Sequence, residues 1–358
     1  MSTAVLPVPD PTLSLQALHP GNFALVMASG IISIGFTMLG HDELANVLHL
    51  VAVTGWLVLV ALSTARLLRH WSAVRTDLLH PRVVFSYFTL VAATNILGLL
   101  LLERGQAELA VACWMLSFLV WATLLYLAFS VLTFLTHEHN VNIVNGGWLI
   151  SIVGTQSLVI LGARIAPTLG DYAGMMMVEV HMLWGLGLAF YAIFVTLFCY
   201  RIFFLTLKPH DVTPQLWVVM GAAAISANAG TTLIASDPVL PFLAAQRPFV
   251  DGVTMMIWTW ATWWIPLLLL FGGWKHFVAK LPLAYEPTMW SLVFPLGMYA
   301  VASARLSLAA EFPPLEWISR IMIWVALAAW LIVMTGLLRR LAAWGVRNAR
   351  PPGAQSRR

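Results

Sequence analysis

The sequence predicts an all-α polytopic membrane protein: ten transmembrane helices arranged as five helical hairpins, with the odd-numbered helices forming a central pore. Three observations carry that prediction. The 358 residues are 60% hydrophobic and only 9% charged, far below the roughly 25% charge of soluble domains. Ten apolar runs reach the length of about 20 residues that a bilayer crossing needs. The starts of the odd-numbered runs recur at a near-constant step.

The runs cover approximately 20–39, 45–68, 82–102, 108–135, 146–163, 174–204, 215–235, 252–273, 288–307 and 317–338. The sixth is longer than a perpendicular crossing requires, so it is expected to tilt or to project from the bilayer. Odd-numbered runs start at Pro20, Pro81, Asn145, Pro214 and Pro287, in steps of 61, 64, 69 and 73 residues. Four of the five starts place proline in the first turn, where its missing N–H costs nothing. The repeat is one of architecture, since the residues of the five units show little similarity. Three segments follow: 1–18 as an N-terminal cytoplasmic stretch, 19–341 as the transmembrane domain, and 342–358 as a basic, disordered cytoplasmic tail. Met1 to Ser14 has neither Lys nor Arg and no apolar core of signal-peptide length, so the first span is expected to act as its own insertion signal.

Odd and even runs differ in chemistry. The odd ones carry small, hydroxyl and amide residues, among them Asn22, Ser29, Gly30, Thr94, Asn95, Gly154, Thr155, Ser226 and Asn228. The even ones are richer in Leu, Val and Trp, with Trp258, Trp260, Trp263 and Trp264 crowded into the eighth. Lipid favours the second composition, while close helix packing or a polar lumen favours the first. The odd helices are therefore expected inside, with these residues lining the lumen or gluing helices together. In the ninth run, Pro295 removes a donor from the carbonyl of Ser291, and the helix should bend or open near Phe294. With Gly297 close by, this stretch reads either as a constriction in a pathway, Phe294 supplying the ring, or as an ordinary kinked helix.

Fourteen of the nineteen Lys and Arg residues fall on the side of the termini, which places both termini in the cytoplasm. Ionisable residues well inside the runs are few: His49, Glu179, His181 and Arg305. Each is a functional candidate because charge is costly in lipid. Glu179 and His181 read either as a proton relay or as interfacial groups, and Arg305 as an attractor of anions at a pore mouth or as a headgroup anchor. His49 and His181 are the one pair open to bis-histidine haem ligation. His137, Glu138 and His139 read more simply as a solvated loop than as a metal site. Cys113 and Cys199 lie in apolar runs and read as core residues. No Walker motif, nucleophile elbow or zincin helix occurs, and no basic patch suits nucleic acid. No enzyme and no cofactor is expected. A shortage of intramembrane carboxylates favours anions or neutral solutes over cations.

Four stretches carry a resemblance. They are His19 to Ile31, Phe88-Thr89 through Asn95-Ile96-Leu97-Gly98, Gly147 to Gln156, and Trp290 to Gly297. They resemble the tellurite-resistance/dicarboxylate transporter family, also called the voltage-dependent anion channel or slow anion channel family. It includes the bacterial tellurite-resistance protein, plant guard-cell slow anion channels, and fungal malate permeases and sulfite exporters. The resemblance implies ten helices as five hairpins around a pore made by the odd helices, in a homotrimer with one pore per subunit. It also implies a pore-occluding phenylalanine in the ninth helix, which the Trp-x-x-x-Phe-Pro pattern maps onto Phe294. Plant-type regulatory phosphorylation tails are not expected. The expected function is transport of small anions of the C4-dicarboxylate, tellurite, sulfite, halide or nitrate type across an inner membrane. A proton-coupled C4-dicarboxylate carrier is the first alternative, and a membrane redox protein is an alternative from another class. The expected partners are the anion, the bilayer and two further copies of the chain.

Overall fold

The computed structural model describes residues 14–135, 144–282 and 285–348, so His137, Glu138 and His139 lie outside the described residues. Ten helices are long and apolar enough to span a membrane. We number them α1 (Pro20–Met38), α2 (Asp42–Arg69), α3 (Val84–Leu102), α4 (Ala107–Leu135), α5 (Gly146–Thr168), α6 (Gly170–Phe204), α7 (Pro214–Ala235), α8 (Arg247–Val278), α9 (Pro287–Ala309) and α10 (Pro314–Trp344). The last continues as helix to Asn348, seven residues into the segment expected to be a disordered tail. Ala342, Ala343 and Arg347 in that stretch favour continuation over fraying; residues 349–358 lie outside the described set.

Burial separates the helices into two classes. Of the most apolar stretch of each odd helix, 72, 83, 94, 94 and 78% is buried within the chain, against 11, 28, 39, 33 and 22% for the even ones. Each odd helix packs on the even helix that follows it. The odd helices also pack on one another in a closed ring: α1 on α3, α3 on α5, α5 on α7, α7 on α9, and α9 back on α1. The even helices stand outside as an apolar outer ring.

Every inner helix opens with a 3-10 turn: Pro20–Phe23, Val84–Tyr87, Gly146–Leu149, Pro214–Trp217 and Pro287–Met289. The five turns touch their neighbours in the same closed order as the helices. A 3-10 turn is narrower than an α-helical turn, which suits five chains converging on one axis. Gly146 is required at this crowded end, because a Cβ there would drive into the backbone carbonyl of Gln215 at the start of α7. In two of these turns an orphan N–H finds a side-chain acceptor. His19 Nδ1 accepts from Gly21 N–H at 3.0 Å, and Asn145 Oδ1 from Gly147 N–H at 2.8 Å. Burial holds the His19 imidazole below its ordinary pKa, and its acceptor role likewise requires the neutral ring.

The opening expected at Phe294 is absent. α9 is α-helical without interruption from Trp290 to Ala309 with Pro295 inside it. The proline lies early in the helix, and its ring packs where α7 offers only Gly221, on which a Cβ would come within 2.7 Å of Pro295 Cγ.

Candidate functional site

The inner helices present one face to the outer ring, and hydrogen bonds mark it. On each outer helix at least one tryptophan donates its indole N–H to the inner helix that comes next in the chain, and α4 adds a second, Trp114 to the Leu158 carbonyl of α5. Trp56 on α2 donates to Thr94 Oγ1 on α3 at 3.0 Å, Trp121 on α4 to Thr155 Oγ1 on α5 at 2.8 Å, and Trp184 on α6 to the Ser226 carbonyl on α7 at 3.1 Å. Trp258 on α8 donates to Ser303 Oγ on α9 at 3.0 Å, and Trp330 on α10 closes the circle on Ser29 Oγ of α1 at 2.9 Å. Thr94, Thr155, Ser226 and Ser303 spend their own protons on the carbonyl four residues earlier. In Thr94, Thr155 and Ser303 that leaves hydroxyl lone pairs to receive the indoles, whereas Ser226 receives its indole on the backbone carbonyl.

Of the two uses expected of these residues, lining and helix glue, the contacts show glue: the hydroxyls of Ser29, Thr94 and Thr155 and the carbonyl of Ser226 meet the outer ring. Three glycines likewise serve packing between inner helices. Gly30 faces Ile96 of α3, a Cβ on Gly154 would stand 3.1 Å from the Phe88 ring, and one on Gly297 would stand 2.9 Å from both Ile31 and Ile32 of α1. Asn95 donates to Ser157 Oγ at 2.9 Å, joining α3 to α5, and Asn22 is half-buried in the first turn of α1. The physical reason is general: inside lipid, small and hydroxyl residues allow close approach and satisfy polar partners, so their enrichment marks an inner helix without marking its lumen side.

The opposite face follows from helical register. Residues nine apart are about two and a half turns apart and so lie on opposite sides of an α-helix. Counting nine onward from Ser29, Thr94, Thr155 and Ser226 gives Met38, Glu103, Arg164 and Ala235. All four line one cavity of about 510 Å³, which also takes in Arg305 and Leu308 of α9. All five inner helices contribute to this cavity at their C-terminal ends, so it sits on the axis of the ring. On α9, Ser303 marks the outward face, and nine residues back is Phe294. Pro295 touches α7 and Gly297 touches α1, so register sets the 3%-exposed Phe294 on the side between them and away from α8. Arg305 lies on the same side, about 16 Å further along the helix.

The cavity gathers three arginines, Arg164, Arg247 and Arg305, and two carboxylates, Glu103 and Glu311. Arg164, Arg247, Glu103 and Glu311 are exposed at its rim, whereas Arg305 is half-buried. Among the described residues the ion pairs are Arg66–Asp77, Arg201–Asp211 and Arg320–Glu316, so none of the cavity's charges is paired. Arg305 Nη1 donates to Asn228 Oδ1 at 3.2 Å and to Thr232 Oγ1 at 3.1 Å. Asn228 in turn donates to Met298 Sδ at 3.3 Å.

Glu179 and His181 are not brought to this axis. Both are on outer helix α6; His181 Nδ1 lies 2.6 Å from the Met177 carbonyl, and the ring borders a crevice of about 90 Å³ beside α7 and α8 that adjoins the axial cavity through Ile234, Ser236 and Arg247. His49 is on α2, which packs against α1 and α3, while α6 packs against α5 and α7, so the two histidines stand in different parts of the outer ring. Cys113 and Cys199 are half-buried free thiols. Sequence reasoning singled out Arg305 but missed Arg164 and Glu103. Their signal was the nine-residue offset from Thr155 and Thr94, legible once the outward face of each inner helix is known.

Three relatives align with this chain, two of them over most of its length. An uncharacterized transporter of Methanocaldococcus jannaschii is 22% identical over 330 residues, covering 89% of this chain and 93% of that protein. A second uncharacterized transporter of the same organism is 22% identical over 325 residues, covering 88% and 91%. An uncharacterized membrane protein of Mycobacterium tuberculosis is 42% identical over 150 residues, 42% of this chain and 76% of that protein. The sequence profile of the voltage-dependent anion channel family matches residues 17–338. With that match over nearly the whole chain, the protein belongs to the voltage-dependent anion channel family.

Proposed function

We propose that the chain passes small anions along the axis of its inner ring, with Phe294 as the gate. The observation that carries this reading is the axial cavity, where five inner helices and the start of outer helix α8 gather three arginines that form no ion pair among the described residues. All five inner helices run the same way, so their N-terminal ends, positive by the peptide dipoles, gather at the other mouth. Arginine at one end and helix N-termini at the other make both entrances favourable to anions. Phe294 stands between them on the inward face, where a bulky ring closes a narrow path.

The same proposal sets both termini in the cytoplasm and the chain in an inner membrane, since fourteen of nineteen basic residues lie on the terminal side and short cytoplasmic loops hold the excess of Lys and Arg. It also includes the homotrimer, each copy keeping its own axis. Glu179 and His181 are on outer helix α6 and neither lines the axial cavity, which supports conduction without proton coupling over a proton-coupled dicarboxylate carrier. The test is flux of chloride, nitrate, sulfite and malate into proteoliposomes with and without a pH gradient. Conduction predicts flux that needs no gradient and survives Glu179→Gln and His181→Gln; malate uptake that demands the gradient and is lost in either variant would establish the carrier instead.

A further inference from the structure

Resting on that reading, we propose that Arg305 is an oxyanion-binding residue that grips two coplanar oxygens of a carboxylate- or nitrate-type anion, and that Asn228 and Thr232 are the positioning residues that aim it. A guanidinium carries five N–H donors in a rigid fork. Both Nη1 protons of Arg305 are committed, one to Asn228 Oδ1 and one to Thr232 Oγ1. The Thr232 hydroxyl donates to the Asn228 carbonyl at 2.7 Å, so its oxygen is turned to accept. What remains is the Nε–H and Nη2 edge, for which no acceptor exists among the described residues, in a side chain that lines a cavity of about 510 Å³. That edge presents two parallel donors, the arrangement that matches a planar oxyanion bidentately.

The surrounding charges leave room for such a ligand. Arg164 and Glu103 are the charged groups that Arg305 feels most, and Arg247 and Glu311 complete the rim. Three positive and two negative groups leave the cavity short of one negative charge. A halide offers one spherical acceptor where the fork presents two donors, so the site favours oxyanions over chloride by geometry and not by charge alone.

The experiment measures thermal unfolding of the detergent-purified protein in formate, nitrate and chloride at equal ionic strength, alongside flux of the same ions in proteoliposomes. The wild type is expected to be stabilised at lower concentrations of formate and nitrate than of chloride. Arg305→Lys keeps the charge but loses the fork, and is expected to weaken the oxyanion effect about tenfold while leaving chloride little changed. Thr232→Val, which frees Nη1, is expected to lose part of the preference, and Thr232→Ser to keep it. An oxyanion preference that is absent from the wild type, or that persists unchanged in Arg305→Lys, overturns the site. If Arg305→Lys fails to fold, equal behaviour of Thr232→Val and Thr232→Ser overturns it. A protein that binds formate through Arg305 yet conducts no anion contradicts the conduction reading alone, and one that conducts with a preference indifferent to Arg305→Lys contradicts the site alone.

Discussion

The outward and inward faces of the inner ring are built from polar residues in different states of satisfaction. On the outward face, Ser29, Thr94, Thr155 and Ser303 each receive an indole N–H from the outer ring. Those four hydroxyls are thereby engaged by the outer ring. On the inward face, Arg164 and Arg305 meet Arg247 of outer helix α8 in a cavity that holds no ion pair among the described residues, and Arg305 keeps an edge of donors uncommitted. A polar group in lipid is costly unless it has a partner. A satisfied one therefore belongs to the fold, and an unsatisfied one beside a cavity is available to a ligand.

The largest expected effect comes from closing the crowded end of the ring. Gly146→Ala sets a Cβ against the Gln215 carbonyl, and because backbone cannot swing aside, the variant should fail to accumulate as folded protein; normal yield and an unchanged melting temperature would refute the close convergence of the 3-10 turns. Next is Thr155→Val, which leaves the indole N–H of the buried Trp121 without its acceptor. The expected cost is about 1–3 kcal/mol, read by denaturant unfolding in detergent, with anion flux per folded molecule unchanged. A Thr155→Val channel with altered selectivity would put that hydroxyl back on the lumen side.

Ser29→Ala makes the same comparison more gently, since Trp330 loses an acceptor but no methyl group is added. A loss of roughly 1 kcal/mol with unaltered conduction is expected. The smallest effect concerns His19. Its folded-state pKa is held below the ordinary value by burial, so the folded chain resists a proton that the unfolded chain takes up. The cap's contribution is complete above about pH 6.5 and is lost as pH falls below it. His19→Asn keeps a cap acceptor without a titrating ring, and should flatten the acid side of the stability profile.

The ten spans and the two classes of helix were legible in the sequence because apolar length and residue size report directly on lipid and on packing. The struts were present as Trp56, Trp121, Trp184, Trp258 and Trp330, at steps of 65, 63, 74 and 72 residues. They went unseen because the chain holds 17 tryptophans and an indole on an outer helix reads as a lipid-facing aromatic. The lining of the axis was misread for a related reason. Composition identifies an inner helix, but which side of it faces the axis depends on register, and register is fixed only when one contact, such as Trp121 on Thr155, is known. Phe294 and Arg305 differ in kind from the hydroxyls: a bulky ring beside proline and a charge within a span each have few uses in lipid, so both stood out.

The most direct test of an inward face that conducts is anion flux through Phe294→Ala in proteoliposomes, compared with wild type at matched protein content and without a pH gradient. Removal of the ring from the inward face is predicted to raise chloride and nitrate flux severalfold. Unchanged flux in a variant that folds and assembles like the wild type would contradict the account and return Phe294 to ordinary packing.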